Sequence, residues 1–300
     1  MPVDELVGDA AATAGESTSG PEGLLLISPA LAGDTPNRWA LVLGASSGFG
    51  EACSLALARA GWNLVGVHLD RKNTQANADR IVAEIRGAGR RAEFFNVNAA
   101  DDARRAEVIA AIEKACGSEP PESRVSVLLH SLAFGTLKPF FGQPRENAIA
   151  KPQIEMTLDV MANSLVYWTQ DLFFAGLLAP GARIFAMTSA GDHIVWPAYG
   201  AVSAAKSALE SYVRQLAVEL APHGVAVNAL RAGVTDTPAL RKIPGNEAMI
   251  ERVLTMHPAG RLTTPDDVAR ALVALSGPGG AWVSGNVIGV DGAEDIAGGR

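Results

Sequence analysis

Tyr199 and Lys206 are the residues of this 300-residue chain whose types and spacing best suit oxyanion or acid–base chemistry. They bracket Tyr199-Gly200-Ala201-Val202-Ser203-Ala204-Ala205-Lys206, which reads as the opening of a long helix with Pro197 ahead of it as a helix starter. Seven residues at about 100° each fall about 20° short of two turns, so the pair shares one face, roughly 10 Å apart along the axis. A phenol there can hydrogen-bond a developing oxyanion, commonly the largest catalytic contribution. A nearby ammonium favours phenolate and is expected to lower the tyrosine pKa. Taken alone, the same two residues also fit an interface aromatic and an ordinary surface lysine.

A second pattern lies earlier. Leu43-Gly44-Ala45-Ser46-Ser47-Gly48-Phe49-Gly50 follows a short apolar run and leads into a helix. Glycines at such a turn let the backbone approach a pyrophosphate, and the helix N-terminus offers free N–H groups to phosphate. The spacing is G-x3-G-x-G rather than G-x-G-x-x-G, and a plain structural turn remains an alternative. At the next strand, counting from Gly61 to the place where an NAD-binding carboxylate commonly sits lands on His68, with Asp70 two residues on. Arg71 and Lys72 follow and suit a 2′-phosphate, or a solvated loop. NADPH is favoured over NADH, with Asp70 pointing the other way.

The elements that must position these residues follow from periodicity. Apolar runs at Trp39–Leu43, Asn63–Leu69, Ala92–Val97, Val125–His130, Ala182–Thr188, Val225–Arg231 and Asn286–Val290 alternate with helix-length segments at Gly50–Ala60, Asn77–Gly87, Ala103–Cys116 and Tyr199–Leu220. That alternation predicts an α/β fold: a Rossmann-type, doubly wound parallel sheet with helices on both faces, in one domain over residues 37–300. Residues 1–36, rich in Ala, Gly, Ser, Thr and acids, read as a mobile extension whose Leu24–Ile27 patch suits a subunit contact.

Composition narrows the function classes. Hydrophobic residues are 48% and charged ones 19%, so the chain is globular. Net charge is −7, which gives no electrostatic footprint for nucleic acid or an anionic membrane. Cys53 and Cys116 read as small buried hydrophobes, and no Cys/His grouping has metal-ligand spacing. With no secretory signal and no membrane-length apolar run, a cytoplasmic location is expected.

With these residues in hand, the chain from about Asn37 to Ile296 resembles the short-chain dehydrogenase/reductase superfamily, and within it the enoyl-acyl-carrier-protein reductase branch. Three motifs carry the likeness: Tyr-x6-Lys at Tyr199 and Lys206; His130-Ser131-Leu132-Ala133-Phe134; and Ala232-Gly233-Val234-Thr235-Asp236-Thr237-Pro238. The resemblance implies reduction of an enoyl thioester, with hydride arriving at the β-carbon while charge collects on the thioester oxygen several bonds away. A donor displaced along the helix from the usual four-residue spacing suits that geometry. It further implies Tyr199 on the enolate, Lys206 on the nicotinamide ribose, Val234 on the carboxamide and Thr237 on phosphate. Gly44, Ser46, Ser47, Gly48, Phe49, Gly50, His68, Arg71, Asn96, Val97, Ser131 and Gly233 complete the implied cofactor site, with no metal.

Departures refine the picture. Ser189, ten residues before Tyr199, stands where many enoyl reductases carry a second tyrosine; it is also where ketoreductases place a catalytic serine. Long spacing without that tyrosine resembles the NADPH-dependent third type of enoyl reductase, although Ser47 replaces an arginine found in several NADPH enzymes. Met161 takes the place of the usual asparagine, with Asn163 two residues on. His193 and Trp196 are expected to wall the substrate pocket and His130 to pack beside the cofactor. The segment from Leu240, with Met249, Ile250, Val253 and Leu254 in a stripe, reads as core packing or as a lid over an acyl tunnel to which Phe134, Phe140 and Phe141 contribute. Arg241 and Lys242 form a basic pair suited to an acidic carrier protein or a coenzyme A phosphate, or simply solvated. The expected partners are an acyl-thioester substrate, an acyl carrier protein, and copies of the chain in a homotetramer. A ketoreductase or alcohol dehydrogenase using Ser189 is the alternative enzyme, and a non-catalytic nucleotide sensor the alternative of another class.

Overall fold

Strand-length runs of buried residues organise the chain. In the computed structural model, which describes residues 37–117 and 123–297, β1 (Trp39–Leu43), β2 (Asn63–His68) and β4 (Val125–His130) are buried along their whole length. Such unbroken burial requires a sheet covered on both faces. β3 (Ala92–Asn96), β5 (Leu178–Ser189), β6 (Ala226–Ala232) and β7 (Val287–Val290) complete a parallel seven-stranded sheet in the order β3-β2-β1-β4-β5-β6-β7. The strand order reverses between β1 and β4, and the crevice outside the carboxyl ends at such a switch point is where ligands bind in open α/β sheets.

Helices cover both faces. On one side α1 (Gly48–Arg59), α2 (Gln75–Gly87) and α8 (Pro265–Ser276) pack around Leu57, Ile81, Ile85 and Leu272. On the other, α3 (Asp102–Cys116), α5 (Ser164–Phe174) and α6 (Gly200–Leu220) pack around Ile112, Trp168 and Leu209. α4 (Lys151–Leu158) joins α5 through a single π-helical stretch, Asp159–Asn163, and α7 (Asn246–Met256) lies beyond β6. The predicted single α/β domain is therefore present, while the expected extension at residues 1–36 lies outside the described residues.

Trp168 locks this second layer. Its ring is fully buried and its Nε1 donates to Ala99 O at 2.8 Å, across 69 residues of chain. Trp168→Ala removes the ring and leaves that carbonyl unpartnered, so a loss of about 3–5 kcal/mol is expected in urea unfolding.

Two expectations at element ends are corrected. β5 begins at Leu178, four residues before the predicted Ala182, because the irregular pairing between Val125↔Leu178 and Val127↔Arg183 accommodates Pro180 and Gly181. α6 begins at Gly200, not directly after Pro197: Ala198 takes φ +62° and Tyr199 becomes the N-cap. Cys53 and Cys116 are both free and buried in helices, and burial pushes their thiols up to about 12 and about 11.

Candidate active site

Three successive residues at the end of β5 meet the start of α6. Met187 O accepts from Lys206 Nζ at 2.6 Å, and Thr188 Oγ1 donates to Glu210 Oε1 at 2.7 Å. Ser189 faces Tyr199 across Gly191, where a Cβ would stand 2.4 Å from Tyr199 Cε1 and 3.3 Å from Ser189 Oγ. The glycine thus lets the phenol lie over the strand end. Ser189 Oγ is buried beside the Tyr199 phenol, with no protein partner within hydrogen-bond geometry among the described residues. Phe140 packs on the first turn of α6, leaving no room for a Cβ at Gly200.

The electrostatics differ from the expectation that Lys206 acidifies Tyr199. Burial raises the Tyr199 pKa, and only the adjacent Ser189 hydroxyl draws it back. Lys206 Nζ donates to Met187 O at 2.6 Å, and burial of the phenol is the larger influence on Tyr199. Burial pulls Lys206 itself down to about 8, against the upward pull of Glu210. Tyr199 is therefore a neutral hydrogen-bond donor, and Lys206 a buried ammonium near its titration point.

The other candidates near this pair have structural partners. His130 is fully buried; its Nε2 and Ser164 Oγ are 2.8 Å apart, and Ser164 Oγ donates on to Val160 O at 2.8 Å. Burial, helped by the charge of Lys206, drops the His130 pKa to about 3, so the ring is neutral and braces the π-helical stretch. Met161, in place of the usual asparagine, is buried; its Sδ and Val202 Cγ2 would both stand 2.8 Å from a Cβ on Gly135. Asn163 turns away, accepting from Tyr212 Oη at 3.0 Å. His193 bridges Asp192 (2.6 Å) and Asp295 (2.9 Å). Against burial, these two carboxylates raise its pKa. Trp196 Nε1 donates to Pro244 O at 3.0 Å, tying the loop before Tyr199 to the segment that enters α7.

The glycine loop fits a dinucleotide phosphate. Gly44 takes φ +89° with no room for a Cβ, which would lie 2.4 Å from Ser131 O; at Gly50 a Cβ would lie 1.9 Å from Gly44 O. Ser47, the N-cap of α1, makes no capping bond with its side chain, so its hydroxyl and the first-turn N–H groups, Gly48 and Phe49 included, face outward unpaired by the helix. A Cβ on Gly48 would meet Thr237 Cγ2 at 3.5 Å, which brings the loop after β6 to the same crevice. At the tip of β2, Asp70 accepts from His68 Nδ1 at 2.8 Å. Against burial, hydrogen bonds from Ser46, Thr74 and His68 hold its carboxyl below the usual range. His68 is buried behind Asp70, while Asn96 pairs with the Asp70 backbone through both N–H (2.9 Å) and carbonyl (3.0 Å). Val97 N donates to His68 O at 2.8 Å, so Asn96 and Val97 brace the loop. Arg71 and Lys72 are exposed beside it.

At the outer rim, Phe134, Phe140, Phe141, Val195 and Leu254 are exposed, whereas Val253 is buried and carries the packing of the α7 stripe. The supposed basic pair is reduced to one free charge: Arg241 binds Asp236 through two bonds of 2.8 and 2.9 Å, leaving Lys242. Sequence reasoning missed Glu210, Arg231 and the acidic residues around them; Arg231 meets Asp295 at 2.9 Å and Asp192 at 3.2 Å. Among the described residues no His/Cys/Asp/Glu grouping could hold a metal, and no helix is long and apolar enough to cross a membrane.

A parallel sheet with this strand order, a glycine loop at the switch point and a Tyr/Lys pair opening the helix after β5 define an oxidoreductase of the short-chain dehydrogenase/reductase superfamily. The model of the family described as enoyl-(acyl carrier protein) reductase matches residues 44–293, and the chain belongs to that family. It is 29% identical over 262 residues to 1-cyclohexenylcarbonyl-CoA reductase of Streptomyces collinus, covering 85% of this chain and 86% of that one. Bovine L-xylulose reductase is 28% identical over 257 residues, covering 85% and 95%. The crystal structure of the NADH-dependent enoyl-[acyl-carrier-protein] reductase from Aquifex aeolicus superposes with a TM-score of 0.75 at 23% identity, covering 89% of this chain and all of that one.

Proposed function

We propose that the protein reduces the C2=C3 double bond of an enoyl thioester with NADPH. The observation that carries this is Tyr199: a neutral phenol at the N-cap of α6, seven residues from the lysine rather than four, beside a strand end with no charge of its own. When bound, the reduced dinucleotide supplies hydride to the β-carbon. Tyr199 then donates its hydrogen bond to the enolate oxygen, and the α-carbon takes its proton from water, so the phenol need not ionise. Lys206 holds the ribose hydroxyls from its seat on Met187 O. The enoyl-thioester relative from Streptomyces supports the reading. The substrate class extends to acyl groups on coenzyme A or a carrier protein, and the assembly is read as a homotetramer.

A second reading has its own observation. The buried Ser189 hydroxyl beside Tyr199 supports it, as does the similarity to L-xylulose reductase. NADPH oxidation with crotonyl- and dodecenoyl-thioesters beside acetoacetyl-thioester separates the two: enoyl turnover alone supports the first, oxo turnover alone replaces it with the second.

For the nucleotide, the exposed Arg71 and Lys72 beside an Asp70 already enclosed by protein donors support NADPH. Arg71→Ala is expected to raise KM for NADPH about tenfold, the value of one charge-assisted hydrogen bond, and to leave KM for NADH unchanged. Equal effects on both cofactors would remove Arg71 from 2′-phosphate recognition.

A further inference from the structure

The turn after β7 closes on the loop that the cofactor reading assigns to nicotinamide. Strand register places it: Ser189 pairs with Ala232 and Ala232 with Val290, so Gly233 and Val234 leave β6 beside the strand end that faces Tyr199. Asp291 folds the turn, its carboxylate oxygens accepting the N–H groups of Ala293 at 3.0 Å and Asp295 at 3.1 Å. Glu294 is thereby turned back onto the loop after β6, both of its oxygens 3.0 Å from Val234 N. The approach depends on Gly233, where a Cβ would stand 2.6 Å from Glu294 Oε2. Val234 N–H is also the donor that the cofactor reading gives to the nicotinamide carboxamide. Carboxylate and carboxamide therefore compete for one hydrogen.

The turn is held by contacts that can open without stranding a charge. Asp295 meets Arg231 Nη1 and His193 Nε2, each at 2.9 Å. Once Asp295 leaves, Arg231 still has Asp192 at 3.2 Å and Glu210 at 3.8 Å, and His193 still has Asp192 at 2.6 Å. Glu294 is half-buried; burial raises its pKa against the pull of the Val234 N–H, so a return to water relieves a partly desolvated charge. The backbone is strained as well. Ala293 takes φ +71° directly after Gly292 at +61°, a left-handed conformation that an alanine side chain disfavours. Upstream the turn is pinned, because His257 Nε2 donates to Asp291 O at 2.8 Å while Nδ1 accepts from Ala259 N. The left-handed pair 292–293 is thus where opening pivots.

We propose that residues 291–297 form an autoinhibitory strap: Glu294 occupies the carboxamide's donor on Val234, and the dinucleotide binds by displacing it. This rests on the cofactor reading above. The strap lies against β6 and β7, on the far side of the switch point from Asp70 at the tip of β2. It therefore weakens binding of a whole dinucleotide and leaves a nucleotide fragment that lacks nicotinamide unaffected.

The experiment is isothermal titration calorimetry of full-length wild type and Glu294→Ala with NADPH and adenosine 2′,5′-bisphosphate, and with NADH and ADP. Glu294→Ala is expected to bind the dinucleotide about tenfold more tightly, the lower end of what a hydrogen bond to a charged group contributes, and the fragment with unchanged affinity. Should that variant not fold, Asp295→Ala frees the same turn while keeping Glu294, and a tightening of about threefold is expected. Dinucleotide affinity that is unchanged or weaker, or a shift shared equally by dinucleotide and fragment, removes the strap and leaves the cofactor reading standing. If wild type and Glu294→Ala bind neither NADPH nor NADH, the cofactor reading falls and the strap with it.

Discussion

Tyr199→Phe lowers kcat on an enoyl thioester by about 10²–10³-fold, the usual cost of one lost oxyanion donor, and leaves dinucleotide affinity nearly unchanged. The expectation follows from what phenylalanine keeps. The ring still lies over Gly191 at the N-cap of α6, so packing and backbone are retained and only the hydroxyl goes. That hydroxyl is neutral, because burial raises its pKa. It therefore acts by donating a hydrogen bond in the transition state, an interaction absent from ground-state cofactor binding, and the loss falls on kcat. Single-turnover rates with saturating NADPH, beside dinucleotide titrations, measure the two quantities separately. Ser189→Ala in the same assay sorts the readings: an enolate oxygen held by Tyr199 alone predicts a much smaller loss than at Tyr199, whereas a carbonyl held by both hydroxyls predicts comparable losses. Full turnover in Tyr199→Phe would overturn the assignment.

The strands were readable because parallel strands buried on both faces are dominated by apolar residues, as Trp39–Leu43 is throughout and Val125–His130 is apart from Ser126 and His130. The glycine loop was readable for a steric reason: no other residue allows the contacts at Gly44 and Gly50. Local patterning failed where a contact depends on two distant segments meeting. The phenol's pKa direction turns on its burial where the start of α6 meets the end of β5, which no local pattern shows. The Glu294 contact to Val234 spans 60 residues and has no periodic signature at all. The Arg231 cluster likewise joins β6, the loop after β5 and the C-terminal turn. The pairing of Arg241 with Asp236 is different, since five residues in a polar turn are a local signal that charge counting passed over.

Lys206→Met is expected to weaken dinucleotide binding by about 10²–10⁴-fold, since hydrogen bonds from an ammonium to two ribose hydroxyls contribute about 1.5–3 kcal/mol each. The same substitution should remove a pH dependence. In wild type, burial holds the ammonium's pKa at about 8, so affinity that requires the charged form falls as pH rises through about 8, and the methionine variant stays flat. Stability runs the other way. The unfolded lysine titrates near 10.5, so between about pH 8 and 10.5 the unfolded chain binds more protons than the folded one, and this group makes stability rise with pH across that window. Below it, the folded protein carries a desolvated cation whose hydrogen-bond partner is Met187 O, with Glu210 the nearby anion. An apolar side chain of similar length at position 206 should therefore raise the melting temperature at pH 7 while dinucleotide binding collapses. Retained affinity at pH 7, or a pH dependence of binding that survives in Lys206→Met, would assign the ribose to another group. A fall in melting temperature would mean that the bond to Met187 O outweighs the cost of burying the charge.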